Sequence, residues 1–393
     1  MSPLPSATPA TVLRLGTAQT LAWASSYYLP ALLAQPMARD LGVSTPWVFA
    51  AFSGALLVSA VVGPAAGRAI DRHGGRPVLM ATSGLFAAGL VALACVQGPI
   101  GLFAAWALLG LAMGSGLYEA AFATLVRLYG QGARSAITGI TLLAGFASTV
   151  GWPLTAWLEL TVGWRGACLA WAGLHLLLGL PLNALLPRAT AIQHEEVSAP
   201  PESATAANKD PPPRLAWTST LLAFSFAITW FISTAMAAHL PRLLQAGGVS
   251  LAGAVAVAAL VGPAQVAGRV LEFGLLRRVH PLISARLAGI THAAGAAAFL
   301  VFGAPAATAF ALLHGAGNGI LTIAKGTLPL VLFGASGYGA RQGWLMVPAR
   351  IAQALAPWVF GLGLDRYGVA ALWGSAGLCL LGWGALMALR ASR

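Results

Sequence analysis

The sequence predicts an all-α integral membrane protein with twelve transmembrane helices in two pseudo-symmetric halves of six. Composition is the first observation: only 8% of the 393 residues are charged and 58% are hydrophobic, so a soluble domain could not cover its surface with polar groups. The second is a series of twelve apolar stretches, each of about 20 residues or more, which is enough to cross a hydrocarbon core of about 30 Å. The third is a polar segment that separates the sixth stretch from the seventh.

Apolar length and polar punctuation place six spans in the first half, at about residues 13–37, 46–70, 77–96, 99–128, 135–158 and 166–186. The same criteria place the second six at about 215–238, 250–274, 281–303, 305–333, 342–364 and 369–390. Within span one, Pro30 interrupts the apolar run and predicts a bend. The spans define an N-terminal six-helix bundle of residues 1–186, a linker of residues 187–214 and a C-terminal six-helix bundle of residues 215–393.

The linker has the composition of a solvated, poorly ordered segment, because it is rich in proline and polar residues. His194 stands beside Glu195 and Glu196 there, which is a possible metal-ligand set. A flexible loop offers no preformed coordination geometry, so we expect no metal site in it.

The positive charges indicate the orientation of the spans. The chain has 22 Lys and Arg against 10 Asp and Glu, a net charge of +12. Fifteen of the 22 fall in the N-terminal segment, the loops after the even-numbered spans and the C-terminus; four fall on the other side, at Arg39, Arg165, Arg242 and Arg366. The positive-inside rule then predicts a multi-pass protein of the inner (plasma) membrane with both termini and the linker in the cytoplasm. The charge implies no nucleic-acid partner.

Internal repeats relate the two halves. Gly114-Ser115-Gly116-Leu117 in span four recurs as Gly317-Asn318-Gly319-Ile320 in span ten, and Arg134 before span five corresponds to Arg341 before span eleven. A duplicated six-helix unit is the simplest account of this pattern. Inverted or parallel repeats around a site near the membrane midplane are typical of alternating-access carriers.

The loop after span two carries a family motif. Gly67, Asp71, Arg72, Gly74 and Arg76 occupy the five fixed places of the signature that the major facilitator superfamily has between helices two and three. The chain therefore resembles that family of secondary transporters. The resemblance implies that this loop is a cytoplasmic gating motif.

The physical chemistry of the motif allows two interpretations. Asp71 at a helix end can accept charge-assisted hydrogen bonds from an arginine or from helix N-terminal amides, and such bonds could hold the two halves together in one state. Alternatively, Arg72 and Arg76 only mark the inside face of the membrane.

Charged residues inside the spans are the strongest site candidates, since each costs roughly 2.5–3.5 kcal/mol if it faces lipid. The clearest are Glu119, Arg269, Lys325 and Arg350. Glu272 lies one turn beyond Arg269 and is expected to pair with it. Three cations against Glu119 predict a cavity that favours an anion.

A second resemblance concerns span eight. Its stretch from Gln265 to Arg269 is similar to helix eight of monocarboxylate and oxalate/formate carriers, where an arginine binds the substrate carboxylate. Arg269 matches that arginine, whereas Gln265 stands where monocarboxylate carriers have an acidic residue used in proton coupling. The alternative is that the intramembrane charges snorkel or form gates. On that interpretation Glu119 and Lys325 form a salt bridge, and Glu119 and Glu272 serve proton coupling or gating.

The superfamily resemblance also implies that spans one, four, seven and ten line the central path. Polar-tipped aromatic and amide groups on those spans, together with the cations, give the predicted substrate-binding set: Tyr27, Tyr28, Trp230, Arg269, Asn318, Lys325 and Arg350. For the aromatic residues, anchoring at the membrane interface is the alternative.

These observations predict a monomeric secondary active transporter that moves a small organic anion, a carboxylate, by alternating access. A proton or an exchanged anion is the expected coupling partner. Two alternatives stay open: proton-coupled efflux of amphipathic drugs or secondary metabolites, and a non-transporting membrane sensor. We expect neither an enzyme nor a cofactor or metal, because no nucleophile with a base and an orienting group can be assembled and no Walker sequence is present.

Overall fold

The computed structural model describes residues 7–188 and 213–390, and all regular structure in that part of the chain is helical. The predicted all-α fold is confirmed. The linker prediction lies largely outside the described residues.

Nine α-helices build the N-terminal half, with a short π-helical turn at His175–Gly179 before the last of them: α1 (Pro9–Ala24), α2 (Pro30–Asp40), α3 (Thr45–His73), α4 (Gly75–Ala94), α5 (Pro99–Gly116), α6 (Tyr118–Tyr129), α7 (Arg134–Ala144), α8 (Ala147–Leu174) and α9 (Leu180–Ala184). Eight build the described part of the C-terminal half: α10 (Pro213–Ala246), α11 (Leu251–Ala259), α12 (Val261–Gly274), α13 (Pro281–Gly289), α14 (Thr291–Phe302), α15 (Ala307–Phe333), α16 (Tyr338–Tyr367) and α17 (Ala371–Ala388).

The seventeen α-helices of the described residues correspond to the twelve predicted membrane spans, called crossings below, because several crossings consist of two helices. Crossing one is α1 and α2, crossing four is α5 and α6, crossing five is α7 with the first part of α8, and crossing six begins at a kink in α8. The kink is at Gly163, whose φ of +73° is accessible to glycine at little cost. Crossings eight and nine are likewise paired helices, α11–α12 and α13–α14.

Local sequence explains where crossings one and four break. Pro30 begins α2 after five non-helical residues, which is the bend that the sequence predicts. In crossing four, α5 ends at Gly116 and α6 begins at Tyr118, with Leu117 in an extended conformation (φ −82°, ψ −164°). The sequence predicts one uninterrupted span there. The break gives α6 a free N-terminal end inside the bundle.

The start of α1 and the end of α17 lie on one side of the bundle, which we call the termini face, and we call the opposite side the distal face. The N-terminal half packs around buried aromatic residues such as Phe86, Trp106 and Phe122, and the C-terminal half around Phe299 and Phe310.

The two halves meet most closely where α3 packs against α16. A Cβ atom added at Gly67 would overlap the carbonyl of Gly339, and one added at Gly343 would overlap the backbone of Pro64. Only glycine lets the two backbones approach this closely. The contact continues toward the distal face, where Ser53 Oγ donates to Ala354 O at 3.2 Å.

Candidate functional site

A cluster of one anion and two cations lies between the halves. Glu119 Oε1 is 3.2 Å from Lys325 Nζ, and Glu119 Oε2 accepts a hydrogen bond from Arg350 Nη2 at 2.9 Å. The predicted Glu119–Lys325 ion pair is therefore present, and Arg350 completes it. Both cations are almost fully buried, at 2% and 3% side-chain exposure. One carboxylate thus serves two buried positive charges.

The break in crossing four positions this carboxylate. Glu119 lies in the first turn of α6, next to the N-terminal end that the break creates. A helix N-terminus carries partial positive charge and favours an anionic side chain. The extended residue Leu117 therefore provides, through α6, part of the electrostatic environment of Glu119.

A hydrogen-bond chain leads from the cluster to crossing one. Arg350 Nη1 donates to Gln353 Oε1 at 3.0 Å, and Gln353 Nε2 donates to the Tyr27 hydroxyl at 2.8 Å. The same hydroxyl is 3.4 Å from Thr234 Oγ1 on α10. Tyr27, one of the predicted site residues, therefore joins both halves at the gap between α1 and α2.

Aromatic rings enclose the cations. Trp230 lies 4.2 Å from Lys325 Nζ and 5.7 Å from the Arg350 guanidinium, both measured to the ring centroid. Trp23, on α1 of the other half, stacks on Trp230 with centroids 6.5 Å apart. Trp23 Nε1 is buried and donates to no acceptor in the described part of the chain. Tyr118 packs on Trp23 and completes the aromatic wall.

Arg269 is the cation that stands apart from this cluster. It is 5% exposed, and it forms no ion pair or side-chain hydrogen bond with any residue in 7–188 or 213–390. Its electrostatic neighbours include the phenols of Tyr28 and Tyr118. Its guanidinium crosses from α12 to the other half and lies against Gly145, where a Cβ atom would overlap Nη1. Gly145 follows the C-terminal end of α7, whose partial negative charge favours a nearby cation.

Glu272 does not pair with Arg269, so that sequence prediction is wrong. Its Oε1 atom is 3.5 Å from Arg134 Nη2, and the same nitrogen donates to Val279 O at 3.0 Å. Arg134, at the start of α7, reaches across the half interface to Glu272, whereas the Arg269 guanidinium extends toward Gly145. The pair therefore links crossing five to crossing eight near the termini face.

His280 lies beside this link, outside the spans. Its Nδ1 atom accepts a hydrogen bond from Leu282 N at 3.2 Å and so caps α13. Burial lowers the pKa of His280 below its ordinary value of 6.5, and the positive charges of Arg134 and Arg286 lower it further.

Asn318 lies about two turns before Lys325 on the same face of α15. It is half-buried and lines a cavity between α10 and α15 with Thr322, Trp230 and Lys325. It is not part of the ionic cluster. Tyr28, also half-buried, packs edge-on against Tyr27 and Trp152.

The carboxylate of the loop motif, Asp71, connects the two halves at the termini face. Asp71 Oδ1 accepts from Gly339 N at 2.9 Å, and Oδ2 accepts from Ala340 N at 2.8 Å. Both amides belong to the first turn of α16, so the carboxylate caps a helix of the other half. Gly67 lies one turn before Asp71, at the close approach to Gly339.

The other three motif residues have different places. Gly74 links α3 to α4 with a φ of +81°, a conformation that side chains disfavour. Arg72 is exposed and Arg76 is half-buried, and neither forms an ion pair or side-chain hydrogen bond with a described residue. The inter-half contact of this motif therefore comes from Gly67 and Asp71.

The comparison with known families now identifies the chain. A family model described as Major Facilitator Superfamily matches residues 15–324. The chain belongs to the major facilitator superfamily. It is thus a multi-pass membrane transporter, and proteins of this superfamily bind small-molecule substrates.

Solved structures of superfamily transporters share this fold over nearly the whole chain. The human organic anion transporter MFSD10 (TETRAN) is 19% identical with a TM-score of 0.70, covering 97% of this chain and 100% of that one. FucP in the outward conformation is 12% identical with a TM-score of 0.73, covering 96% and 97%. The proton:xylose symporter XylE bound to 6-bromo-6-deoxy-D-glucose is 12% identical with a TM-score of 0.70, covering 96% and 94%.

One curated relative matches in sequence. A protein from Thermoproteus tenax, described as an uncharacterized 38 kDa protein in the 23S RNA operon, is 35% identical over 157 residues. The match covers 39% of this chain and 40% of that protein, so the chain spans less than half the length of the relative.

Within this superfamily fold, the site contains residues outside the predicted set: Tyr118, Trp23, Gln353, Arg134 and Gly145. Three of them had a sequence signal, because Trp23 is a polar-tipped aromatic residue of span one, Tyr118 precedes the intramembrane Glu119, and Gln353 lies nearly one turn after Arg350. Nothing in the linear pattern indicates that Arg134 and Gly145 face crossing eight. In residues 7–188 and 213–390, no group of three or more His, Cys, Asp or Glu is arranged to hold a metal ion.

Proposed function

We propose that this superfamily member is a secondary active transporter of a small organic anion with a carboxylate group, and that it works by alternating access. The observation that carries the proposal is Arg269, a buried guanidinium without a counter-ion among the described residues. An unpaired charge in such a place costs several kcal/mol, and a bound anion would offset that cost.

The charge balance of the central region supports the same conclusion. Glu119 contributes one negative charge against three positive charges on Arg269, Lys325 and Arg350, a net charge of +2. The Glu272–Arg134 pair is neutral and leaves this balance unchanged. A cavity of low polarity with net positive charge attracts anions more strongly than the same charges would in water.

The hydrogen-bonding groups point to a ligand with acceptors. Arg269 Nε and Trp23 Nε1 are buried donors with no acceptor in the described part of the chain. An ionised carboxylate offers only acceptor positions, and a guanidinium can bind both of its oxygens at once. The rings of Trp23 and Trp230 would contact the organic part of the ligand.

We further propose a division of roles among the remaining site residues. Arg269 binds the carboxylate, and Tyr27, Tyr28, Trp230 and Asn318 line the path. Lys325 and Arg350 hold Glu119 until a proton neutralises the Glu119 carboxylate or the substrate anion competes for the two cations, which would make the cluster the coupling element. Direct competition is physically reasonable because all three cations are attracted to the same kind of group.

The inter-half contacts suggest how the path opens. Asp71 with α16 and Arg134 with Val279 and Glu272 both link the halves at the termini face. We propose that they are broken when this face opens. We propose that the termini face is the cytoplasmic face of an inner (plasma) membrane, and the excess of Lys and Arg on this side supports that orientation.

The similar structures support the transporter fold and do not identify the substrate, which we infer from the buried charges. MFSD10 is named as an organic anion transporter, but a likeness at 19% identity shows the fold alone. XylE, which is named as a xylose symporter, has an equally similar fold. The resemblance of residues 265–269 to monocarboxylate carriers stays a supporting argument.

Thermal stabilisation by matched ligand pairs tests the proposal. The purified protein is heated with benzoate or benzamide, and with lactate or lactamide, because each amide keeps the shape and removes the charge. We expect only carboxylates to raise the melting temperature, and Arg269→Gln to abolish the rise. The control is Arg242→Gln, an exposed cation of the same half that pairs with Asp365 on the distal face. Equal stabilisation by acid and amide would refute an anion site.

The aromatic wall favours a second candidate, an exporter of amphipathic drugs. Trp23, Tyr27, Tyr28, Tyr118 and Trp230 contact one another around the path and could hold a hydrophobic cation by ring contacts. Stabilisation by hydrophobic amines alone, unaffected by Arg269→Gln, would favour this candidate.

A further inference from the structure

A second polar cavity lies inside the N-terminal half, apart from the central cluster. It is enclosed by crossings one, three, four and six and is lined by Gln19, Ser83, Gly116, His175, Gly179 and Asn183 among others. Its lining contains no Asp, Glu, Lys or Arg. Nothing in the transport site described above uses it.

Two amide oxygens in this cavity have no hydrogen-bond donor. Gln19 is 2% exposed and Asn183 is 7% exposed, and both Gln19 Oε1 and Asn183 Oδ1 are buried without a partner among the described residues. Their orientations are fixed by the amide nitrogens. Gln19 Nε2 donates to Gly116 O at 2.7 Å, so a flipped amide would bring two carbonyl oxygens together.

The Asn183 amide is held in the same way. Its Nδ2 atom donates to Leu79 O at 3.2 Å and to Ser83 Oγ at 3.0 Å, which occupies both amide hydrogens. Ser83 Oγ itself donates to Leu79 O at 3.1 Å. The free group is therefore the oxygen, which can only accept.

His175 adds a third acceptor. Ser25 Oγ donates to Leu21 O at 2.8 Å, so in its 2.7 Å contact with His175 Nε2 it accepts the imidazole N–H. The neutral ring then carries a lone pair on Nδ1. This nitrogen and Ser83 Oγ both lie near Gly179, at 3.4 Å and 3.6 Å from where a Cβ would be, with Leu21 Cδ2 at 3.1 Å from the same point.

The backbone around the cavity is also irregular. Gly116 is the last residue of α5, so the cavity meets the C-terminal end of a broken helix, which carries partial negative charge. His175 and Gly179 begin and end the π-helical turn of crossing six. Broken helices and π-turns inside membrane bundles are common at ion sites, where helix C-terminal ends help to coordinate cations.

From this geometry we propose that the cavity binds a sodium ion. Its ligands are Gln19 Oε1, Asn183 Oδ1, Ser83 Oγ and a carbonyl at the end of α5, with His175 Nδ1 facing the site. A water molecule could donate to only two of these acceptors and accept from the second hydrogen of Gln19 Nε2, whereas a cation is bound by all of the acceptors at once. A divalent cation prefers sites with carboxylates, and the cavity has none.

The location gives the ion a mechanical consequence. Gly116 is separated from Glu119 only by Leu117 and Tyr118, so a cation at the end of α5 would stabilise the break that orients α6. Sodium would thus favour the arrangement of the central cluster without contacting it. Sodium binding in the Gln19–Asn183 cavity does not depend on the nature of the transported substrate.

Thermal unfolding of the full-length purified protein in chloride salts tests the proposal. We expect a saturable rise of the melting temperature with Na⁺, and no comparable rise with K⁺ or choline at equal ionic strength. Gln19→Met and Asn183→Leu should each abolish the Na⁺-specific increment. If one variant fails to fold, the other decides.

The control is Thr229→Val, in the polar cavity at the equivalent place in the C-terminal half, which should keep the full sodium increment. Identical melting in the three salts would overturn the proposal and assign the cavity to water. A sodium increment that survives in both Gln19→Met and Asn183→Leu would also overturn it. Carboxylate binding, measured with choline salts, tests the proposed function separately.

Discussion

Neutralising Asp71 should open the termini face. Its carboxylate accepts two backbone hydrogen bonds, from Gly339 and Ala340, at the N-terminus of α16. A hydrogen bond to a charged group contributes about 1.5–3 kcal/mol, and a neutral one about 0.5–1.5 kcal/mol. The two charged bonds together contribute at least about 3 kcal/mol and Asp71→Asn keeps one neutral acceptor worth about 1 kcal/mol, so we expect the closed arrangement to lose at least about 2 kcal/mol. That loss changes the ratio of closed to open molecules about 30-fold. An open state populated at about 1% would then rise to about 20–25%.

Distances between spin labels on the two halves measure this change. Labels at His73→Cys and Ser336→Cys, in a background without the native cysteines, lie on exposed residues at the termini face. We expect Asp71→Asn to add a population at longer distance. The control Asp40→Asn should leave the distribution unchanged, because Asp40 pairs with Arg165 of the same half on the distal face. An unaltered distribution in Asp71→Asn would refute the role of this cap.

Three further predictions concern the site and its surroundings. Glu119→Gln should lower the melting temperature more than Lys325→Met, because the first change leaves two buried cations unpaired and the second leaves a matched pair; removal of one partner of a buried pair costs about 3–5 kcal/mol. Gly145→Ala should displace the guanidinium of Arg269 and weaken carboxylate binding measured by thermal shift. Acidification below about pH 6.5 should destabilise the termini-face contact beside His280, whose lowered pKa means that the folded protein resists a proton that the unfolded chain accepts.

Each of these three has a result that contradicts it. Equal melting temperatures for the Glu119 and Lys325 variants would show that the cluster is not shared as the distances indicate. Gly132→Ala, at a glycine with open space around it, is the control for Gly145→Ala, and equal carboxylate affinity in both would exclude displacement of Arg269. For His280, the contribution to stability is complete above about pH 6.5 and declines below it; His280→Gln should remove that dependence, and its persistence would assign the effect to another group.

The sequence was sufficient for the architecture because membrane burial leaves a strong signal. Each crossing needs about 20 apolar residues, and the loops carry the positive charges, so span number follows from composition. The bend at Pro30 could also be predicted, since proline lacks the N–H of a regular helix. The break at Leu117 could not, because Gly114-Ser115-Gly116 resembles the glycine-rich stretch of α15, which is continuous.

The charged residues were predicted better than their pairing. An ion inside a span must avoid lipid, so Glu119, Lys325 and Arg350 had to converge between the halves. The wrong pairing of Glu272 arose from sequence proximity to Arg269. A residue on a neighbouring helix, Arg134, offers a closer approach, and linear spacing contains no information about it.

The three-membered cluster also changes a mutational expectation. With a simple Glu119–Lys325 pair, exchange of the two residues would restore the interaction. The structure places Arg350 at 2.9 Å from Glu119, so the exchange would set a lysine against that arginine. We therefore expect the exchange to fail even though the ion pair exists.

The most direct test of the central claim is uptake of a labelled carboxylate into proteoliposomes, using the acid that stabilises the purified protein most strongly. The account predicts saturable uptake by the wild type and a loss of about 10-fold or more in apparent affinity for Arg269→Lys, because a lysine cannot form the two-pronged contact of a guanidinium. Arg242→Lys should transport like the wild type. Unchanged uptake in Arg269→Lys would contradict the assignment of the buried, unpaired arginine as the carboxylate site.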